Sequence, residues 1–223
     1  MVAASVLVTG CSQWVVGDSE RAAPADPPSS SLAGHPPAAP ADPGAKSESP
    51  RAGAPIAEVI GWIEAGSPVD VGAYRTATRD GQARQLGEDV AFTTPAGSSI
   101  NCMTDTRSAG ALACLVDLTE APPQPAEVYG EWVGGWVDFA GQTLEIGSVH
   151  GDPGRFTRGT GPVLPQGRTL SFGDYRCRAE SAAAVCVNYA HQSAARFSAE
   201  AIEPFGCLRR VTPPADVGVK FSC

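Results

Sequence analysis

Short stretches of alternating hydrophobic and polar residues, separated by Gly, Pro, Ser and Asp, dominate the chain after residue 66. Residues 74–79 and 82–86 alternate on either side of Asp80-Gly81, a pair typical of a tight hairpin turn. Short strands that recur with turn residues between them indicate an antiparallel β-sandwich or small barrel. We predict further strands at residues 90–94, 100–103, 111–116, 132–139, 143–146, 169–172, 175–178 and 184–187.

A different hydrophobic period precedes these strands. In residues 55–66 the apolar side chains recur at the spacing of one helix face, with Pro55 in the first turn and Gly66 as the stop. The members of this face are Ile56, Val59, Ile60 and Ile63. The predicted fold class is therefore mainly β, or α+β with one short N-terminal helix.

The first 54 residues have the composition of a leader and a tether. Residues 1–8 are small or apolar, as in the hydrophobic core of a signal peptide, although no basic residue precedes them. Residues 21–54 hold ten Ala, eight Pro and a single large aliphatic residue, Leu32, too few apolar side chains to form a core. We predict a partial signal peptide at 1–10, a disordered tether at 11–54 and one folded domain at 55–223.

Cys11 lies at the junction between leader and tether. Val8-Thr9-Gly10-Cys11 resembles a bacterial lipobox, in which the cysteine sulfur receives a diacylglycerol. The resemblance implies a lipid anchor on Cys11 that holds the chain to the extracytoplasmic face of the cell membrane. The alternative is an N-terminal strand that ends in a buried cysteine.

Removal of Cys11 from the count leaves an even number of cysteines, which in an exported chain predicts three disulfides among fifteen connectivities. Two pairs flank short turn segments and would each join the two strands of a hairpin, which leaves the last two cysteines for each other. The pairs are Cys102 with Cys114, Cys177 with Cys186, and Cys207 with Cys223. None of these spacings is that of a zinc knuckle, and we expect neither a metal nor another cofactor.

The two cysteine hairpins resemble each other about 75 residues apart, which predicts an internal duplication of one β unit. Residues 92–103, 170–188 and 196–198 resemble a family of exported actinobacterial proteins with the pattern Phe-x-Ser/Thr-Pro-x-Gly-x-Ile-x-Cys followed by a second cysteine pair. With the lipobox and the Ala/Pro tether, the chain is similar to the Lpp series of mycobacterial envelope lipoproteins. The resemblance implies an exported, lipid-anchored protein and no particular activity.

Charge excludes one class of partner and suggests another. The sixteen basic residues are outnumbered by 24 acidic ones, which argues against binding to nucleic acid. Between Ser108 and Gly154 there are seven acids and no Lys or Arg, whereas residues 155–178 hold five Arg. Such segregation predicts either surface fields that steer a partner or charge pairs across neighbouring strands.

Aromatic residues give the first candidate ligand site. Trp132 and Trp136 are an even number of residues apart and would share one face of a straight strand, with Tyr129 nearby. Exposed, paired aromatics suit sugars, lipids or peptides, whereas buried ones would belong to the core.

His150 and Asp152 give the second candidate, a polar loop in which a base and its orienting carboxylate, or half of a metal site, would lie together. The alternative is a turn in which the Asp152 side chain caps its own backbone. No common hydrolase or nucleotide-binding motif occurs. We therefore expect a domain that binds a cell-wall component or envelope protein. The alternatives are a small secreted hydrolase using His150 and Asp152, and a purely structural or complex-forming subunit.

Overall fold

The structure is a computed structural model, and it describes residues 48–95, 100–150 and 154–223. The predicted leader, Cys11 and most of the predicted tether lie outside the described residues. In the described part, the α-helix α1 spans Ile56–Glu64, and short 3-10 turns occupy Val71–Tyr74, Thr106–Ser108 and Gly154–Arg158. The strands are β1 (Ser67–Pro68), β2 (Thr76–Arg79), β3 (Gln82–Gln85), β4 (Ala91–Thr93), β5 (Ile100–Asp105), β6 (Ala111–Val116), β7 (Trp132–Phe139), β8 (Thr143–Val149), β9 (Arg168–Phe172), β10 (Tyr175–Ala179), β11 (Ala183–Asn188), β12 (Ser193–Ser198), β13 (Ile202–Gly206), β14 (Arg209–Val211) and β15 (Val217–Ser222).

These strands form two large sheets. Sheet I has the order β1-β9-β10-β11-β12-β13, and sheet II has the order β14-β15-β8-β7-β6-β5-β4. The pairings are antiparallel except that β1 joins β9 in parallel. Neither sheet closes on itself within the described residues, so the fold is a sandwich and the predicted alternative of a small barrel is wrong.

The predicted repeat extends over five strands. Strands β4 to β8 follow one another across sheet II as a meander, and strands β9 to β13 do the same across sheet I. In each meander the second and third strands carry the cysteines, and Cys102 lies directly opposite Cys114 as Cys177 lies opposite Cys186. The mainly β fold and the disulfide-stapled hairpins are therefore confirmed.

The main core lies between the two sheets. Phe92, Phe139 and Leu144 from sheet II pack with Leu170 and Phe197 from sheet I, and none of these five side chains is measurably exposed. Both hairpin disulfides belong to the same cluster. The cysteine pairs are therefore part of the hydrophobic core as well as covalent links across strands.

The outer face of each sheet is covered by a different element. On sheet I, helix α1 places Val59 and Ile63 against Val187 and Phe205, which explains the apolar face of the predicted helix. Sheet II is covered by the β2–β3 hairpin and the 3-10 turn Gly154–Arg158. The hairpin turns at Asp80-Gly81 with positive φ at both residues, as predicted.

Strands β12 to β15 received no prediction from the sequence. In β12 the residues that face the core include Ala195, a side chain with little hydrophobic signal. Strand β15 alternates Val217, Val219 and Phe221 with Gly218, Lys220 and Ser222. This alternation of apolar and other residues would have allowed a strand to be predicted here. No helix in the described part of the chain is long and apolar enough to cross a membrane.

Candidate functional site

A break in the strand pairing shapes the outer face of sheet II. Between Val133 and Val137 the register of β7 against β8 shifts, so β7 does not run straight through Gly134-Gly135. A Cβ atom on Gly135 would lie 2.0 Å from the backbone oxygen of Val116, so the two strands approach too closely for any other residue. The straight strand that would have placed Trp132 and Trp136 together on one exposed face is therefore wrong.

Trp136 is buried, with 3% of its surface exposed. Its indole stacks on the His150 imidazole, with ring centroids 3.4 Å apart and an interplanar angle of 24°, and it meets the edge of Phe156 at 5.0 Å. The indole N–H donates to Oδ2 of Asp138 at 2.8 Å. Trp136 thus holds two polar side chains in place and offers little surface to a ligand.

Trp132 and Tyr129 have different surroundings. The half-buried Trp132 donates its indole N–H to the carbonyl oxygen of Pro122 at 2.9 Å, which ties the start of β7 to the preceding loop. Tyr129 lies in that loop with 91% of its surface exposed. Of the three predicted aromatic residues, Tyr129 is the one that presents its ring to solvent.

His150 follows β8 directly, and its side chain contacts Ser148. The Ser148 hydroxyl oxygen lies 2.8 Å from Nε2 of the imidazole, and the His150 backbone N–H donates to the carbonyl of Glu131 at 2.9 Å. Ser148 pairs with Val133 on one side and Val217 on the other, so its backbone is fixed within sheet II. Asp152, the predicted partner of His150, lies outside the described residues.

Asp138 is a charged residue that interacts with His150. Burial raises the pKa of Asp138 above its ordinary value of 3.8, against the opposing effects of the Trp136 hydrogen bond and of the positive charges on Arg155 and His150. The guanidinium of Arg155 lies 4.0 Å from the carboxylate and also donates to the carbonyl oxygens of Met103 and Ala111. Arg155 therefore locks the 3-10 turn onto sheet II.

Salt bridges between residues distant in sequence pair some of the acidic and basic residues that are segregated along the chain. Lys220 lies 2.6 Å from Glu145 across neighbouring strands, and Arg158 lies 2.8 Å from the buried carboxylate of Asp89. Charge pairing across neighbouring strands, which the sequence left as one of two alternatives, is thus observed for Glu145, whereas Asp138 interacts with Arg155 of the 3-10 turn. The acidic residues of the loop before β7 have no such partner among the salt bridges of the described residues.

Two open cavities lie away from Ser148 and His150. One of about 630 Å³ is lined by Asp89, Asp105, Arg107, Arg155 and Arg158, and within it Arg158 lies 2.8 Å from Asp89 and 3.8 Å from Asp105. The other, of about 420 Å³, lies where the Arg178 guanidinium stacks on the Trp62 ring at 4.1 Å and donates to the Trp62 carbonyl. Within the described residues, no group of three or more His, Cys, Asp or Glu side chains is placed to hold a metal ion.

The six cysteines of the domain form the three predicted disulfides, Cys102–Cys114, Cys177–Cys186 and Cys207–Cys223. The last of these ties the final residue to the end of β13, beside the sheet edge. Sequence reasoning missed Ser148, Asp138 and Arg155 as neighbours of His150. The i, i+2 spacing of Ser148 and His150 at the end of a predicted strand was the available signal, because such residues share a face.

Taken together, the fold and its cross-links define a disulfide-linked β-sandwich built from two meanders, with a polar, aromatic-lined site on one outer face. No protein-family model, curated protein or solved structure matches the chain.

Proposed function

We propose that the protein is a cell-envelope lipoprotein, held on the extracytoplasmic face of the membrane by a lipid on Cys11, whose domain binds another envelope component. Three disulfides support the location, because such bonds persist in oxidising compartments and are rare in the cytosol. The six domain cysteines pair completely, which leaves Cys11 as the seventh, within its lipobox-like sequence. The similarity to the mycobacterial Lpp lipoproteins belongs to the same proposal.

The tether gives the anchor its reach. Residues 21–54 of the tether are rich in Pro and Ala, and extended Pro-rich chains span about 3 Å per residue. A lipid on Cys11 would therefore allow the domain to work at a distance from the membrane surface of up to roughly 100 Å. A component of the cell wall or of the outer envelope lies within that range.

The binding surface in this proposal is the Tyr129 loop, which we define as residues 117–131. The observation that carries it is an almost fully exposed tyrosine, 91% accessible, on a loop with internal braces. Gln124 donates to the carbonyls of Val128 at 2.7 Å and Gly130 at 3.3 Å, and Trp132 holds Pro122. An ordered tyrosine supplies a large contact area at little cost in conformational entropy, as hot-spot residues do.

Charge indicates the kind of partner. The Tyr129 loop carries four exposed carboxylates and no Lys or Arg, and these acids are Asp117, Glu120, Glu127 and Glu131. Complementary charge speeds association and selects partners more than it adds affinity. We therefore favour an envelope protein with a basic surface over an acidic glycan or an anionic lipid.

Substitution of Tyr129 by Ala tests the binding surface. Purified wild-type domain, immobilised through the tether, would be offered detergent-solubilised envelope proteins, soluble cell-wall glycans and anionic phospholipid vesicles in separate measurements. We expect one envelope protein to bind and Tyr129→Ala to weaken its affinity more than about tenfold, the loss typical of a hot spot. Val163→Ala is the matched control, because Val163 is also exposed, at 53%, but lies outside the loop.

Binding that survives Tyr129→Ala unchanged would remove the loop from the proposal. If none of the three classes binds the wild type, the alternative of a purely structural subunit becomes the better hypothesis. Retention of glycans or lipids alone would contradict the choice of partner while leaving a binding role intact.

The anchor is tested separately in the cell. We expect wild-type protein to fractionate with membranes and to incorporate a radiolabelled fatty acid, and Cys11→Ser to lose both properties. Cys207→Ser is the control, because it removes a cysteine that is joined to Cys223 by a disulfide. Labelling of Cys11→Ser at the wild-type level would show that another residue carries the lipid, whereas an unlabelled variant that stays with the membranes would show that an uncleaved leader holds the protein.

A further inference from the structure

Ser148 and His150 have the arrangement of a nucleophile and its base. The hydroxyl oxygen of Ser148 lies 2.8 Å from Nε2 of His150, within the range in which a histidine accepts a serine proton. Both side chains are half-buried, so each keeps part of its surface exposed to solvent.

The backbone and the neighbouring ring fix this geometry. Ser148 is paired with a strand on each side, and the His150 N–H donates to the Glu131 carbonyl. The imidazole lies flat against the Trp136 indole at 3.4 Å. A pre-positioned base loses no further rotational entropy when it reacts, which is the advantage of a fixed site over two surface residues that meet by chance.

Asp138 supplies the charge that such a base needs. The attraction between the Asp138 carboxylate and a charged His150 is mutual, so it stabilises the imidazolium that forms when His150 accepts a proton. Asp138 acts through space and through Trp136, whose N–H it accepts at 2.8 Å, and is therefore a positioning residue. Trp136 in turn contacts the rings of both His150 and Phe156.

We propose that Ser148 is a nucleophile, activated by His150, that accepts acyl groups from small neutral carboxylic esters. The Ser148 oxygen attacks the ester carbonyl carbon while its proton passes to Nε2 of His150. The bond from that carbon to the alcohol oxygen then breaks, and the leaving alcohol takes the proton from His150. Water hydrolyses the acyl-serine in the same way, with His150 as base, which releases the acid and restores the hydroxyl group.

The preference for neutral esters follows from charge. The Asp138 carboxylate interacts with His150, and the whole chain has a net charge of −8. A substrate with a carboxylate or phosphate would bring a second negative charge beside the Asp138 carboxylate, whereas a neutral ester would not. This activity does not involve the Tyr129 side chain, so it can fail without affecting the proposed binding function.

A fluorophosphonate probe tests the nucleophile, because it phosphonylates an activated serine with loss of fluoride. We expect the full chain to take up one probe molecule, located on Ser148 by peptide mass mapping, and Ser148→Ala to take up none. His150→Gln should slow labelling and the hydrolysis of p-nitrophenyl acetate by about 10²-fold or more, the usual contribution of a general base. His191→Gln is the matched control and should react at the wild-type rate.

Two further measurements separate catalysis from a structural role. The labelling rate should rise with pH as His150 loses its proton, and this dependence should disappear in His150→Gln. Near-ultraviolet circular dichroism would confirm that each variant keeps its fold, and Ser148→Thr, which retains a hydroxyl group, should keep a measurable rate if the protein remains folded. No adduct on Ser148, labelling spread over several serines, or equal rates for His150→Gln and the wild type would each overturn the proposal.

Discussion

Asp138 shows how one residue links the stability of sheet II to the site beside it. Its carboxylate accepts the Trp136 N–H, lies 4.0 Å from Arg155 and is attracted by a charged His150. The cost of burying its charge exceeds these favourable effects, because its pKa is raised and not lowered. The folded protein therefore binds the Asp138 proton more tightly than the unfolded chain does.

This difference predicts a dependence of stability on pH that Asp138→Asn should remove. A raised pKa in the folded state stabilises the fold below the ordinary value of 3.8, and that contribution is lost as the pH rises through the raised pKa. We expect the free energy of unfolding of the wild type to fall relative to Asp138→Asn as the pH increases. Urea denaturation of both proteins between about pH 3 and pH 7 measures it.

Asp80→Asn is the control, since Asp80 is an exposed acid in the β2–β3 turn. It should follow the wild-type curve closely. A constant difference between wild type and Asp138→Asn across this range would show that the Asp138 carboxylate titrates alike in both states.

The sequence did not predict which individual residues lie beside His150. His150 stood out because histidines are few, but Ser148 is one of many serines, and Asp138 one of seven acids in its stretch. Their proximity depends on the register shift in β7, on the positive φ of Gly147 and on the turn that brings Arg155 and Phe156 over the sheet. None of these is encoded in local spacing.

At the scale of elements, β7 illustrates what a hydrophobic pattern can and cannot predict. Its bounds, Trp132–Phe139, are those that alternation predicted, because the residues from Trp136 onward face alternately outward and into the core. The break at Gly134-Gly135 arises from contact with β6, a strand some twenty residues earlier in the chain. A period of two identifies a strand, whereas its bulges are set by its neighbours.

Two glycine substitutions distinguish a glycine required by contact with a neighbouring strand from one that is not. Gly135→Ala should destabilise the domain by several kcal/mol, since its methyl group would lie 2.0 Å from the Val116 oxygen and force β6 and β7 apart. Gly61→Ala is the matched variant, because no atom outside the helix backbone lies within 4 Å of the position that its methyl group would take in α1. It should stabilise the domain by about 0.5–1 kcal/mol, as Ala favours a helix interior.

Thermal and urea unfolding of the two variants would measure both effects. A tolerated Gly135→Ala would mean that β7 can straighten at this point. In that case Trp136 should also become more accessible to a fluorescence quencher, which provides an independent readout.

For the whole molecule, the sequence predicted the layout better than the site. The cysteine spacing, the alternating strands and the apolar helix face each depend on local order, and the sandwich and all three disulfides agree with them. What could not be predicted is how the meanders lie against each other, since the core of Phe92, Phe139 and Phe197 joins residues up to about a hundred positions apart. Such contacts follow from packing of the complete fold and not from any one segment.

The position of the disulfides in this core leads to a last prediction. Cys102 and Cys114 are fully buried between the sheets, whereas Cys207 and Cys223 lie at the periphery and are partly exposed. By loop length alone the terminal disulfide should stabilise slightly more, by about 0.2–0.3 kcal/mol, because it spans 16 residues and the buried one spans 12. Burial reverses this order, because removal of two core sulfur atoms also leaves a cavity.

We therefore expect the double variant Cys102→Ala/Cys114→Ala to lose about 3 kcal/mol for the cross-link and about 1–2 kcal/mol more for the cavity. Cys207→Ala/Cys223→Ala should lose about 3 kcal/mol and keep the packing of both sheets. Urea unfolding under non-reducing conditions compares the two variants with the wild type. If the terminal pair costs as much as the buried pair, the disulfides act only on the unfolded chain. If removal of the buried pair lowers the free energy of unfolding by more, that disulfide also contributes to the core that joins the two meanders.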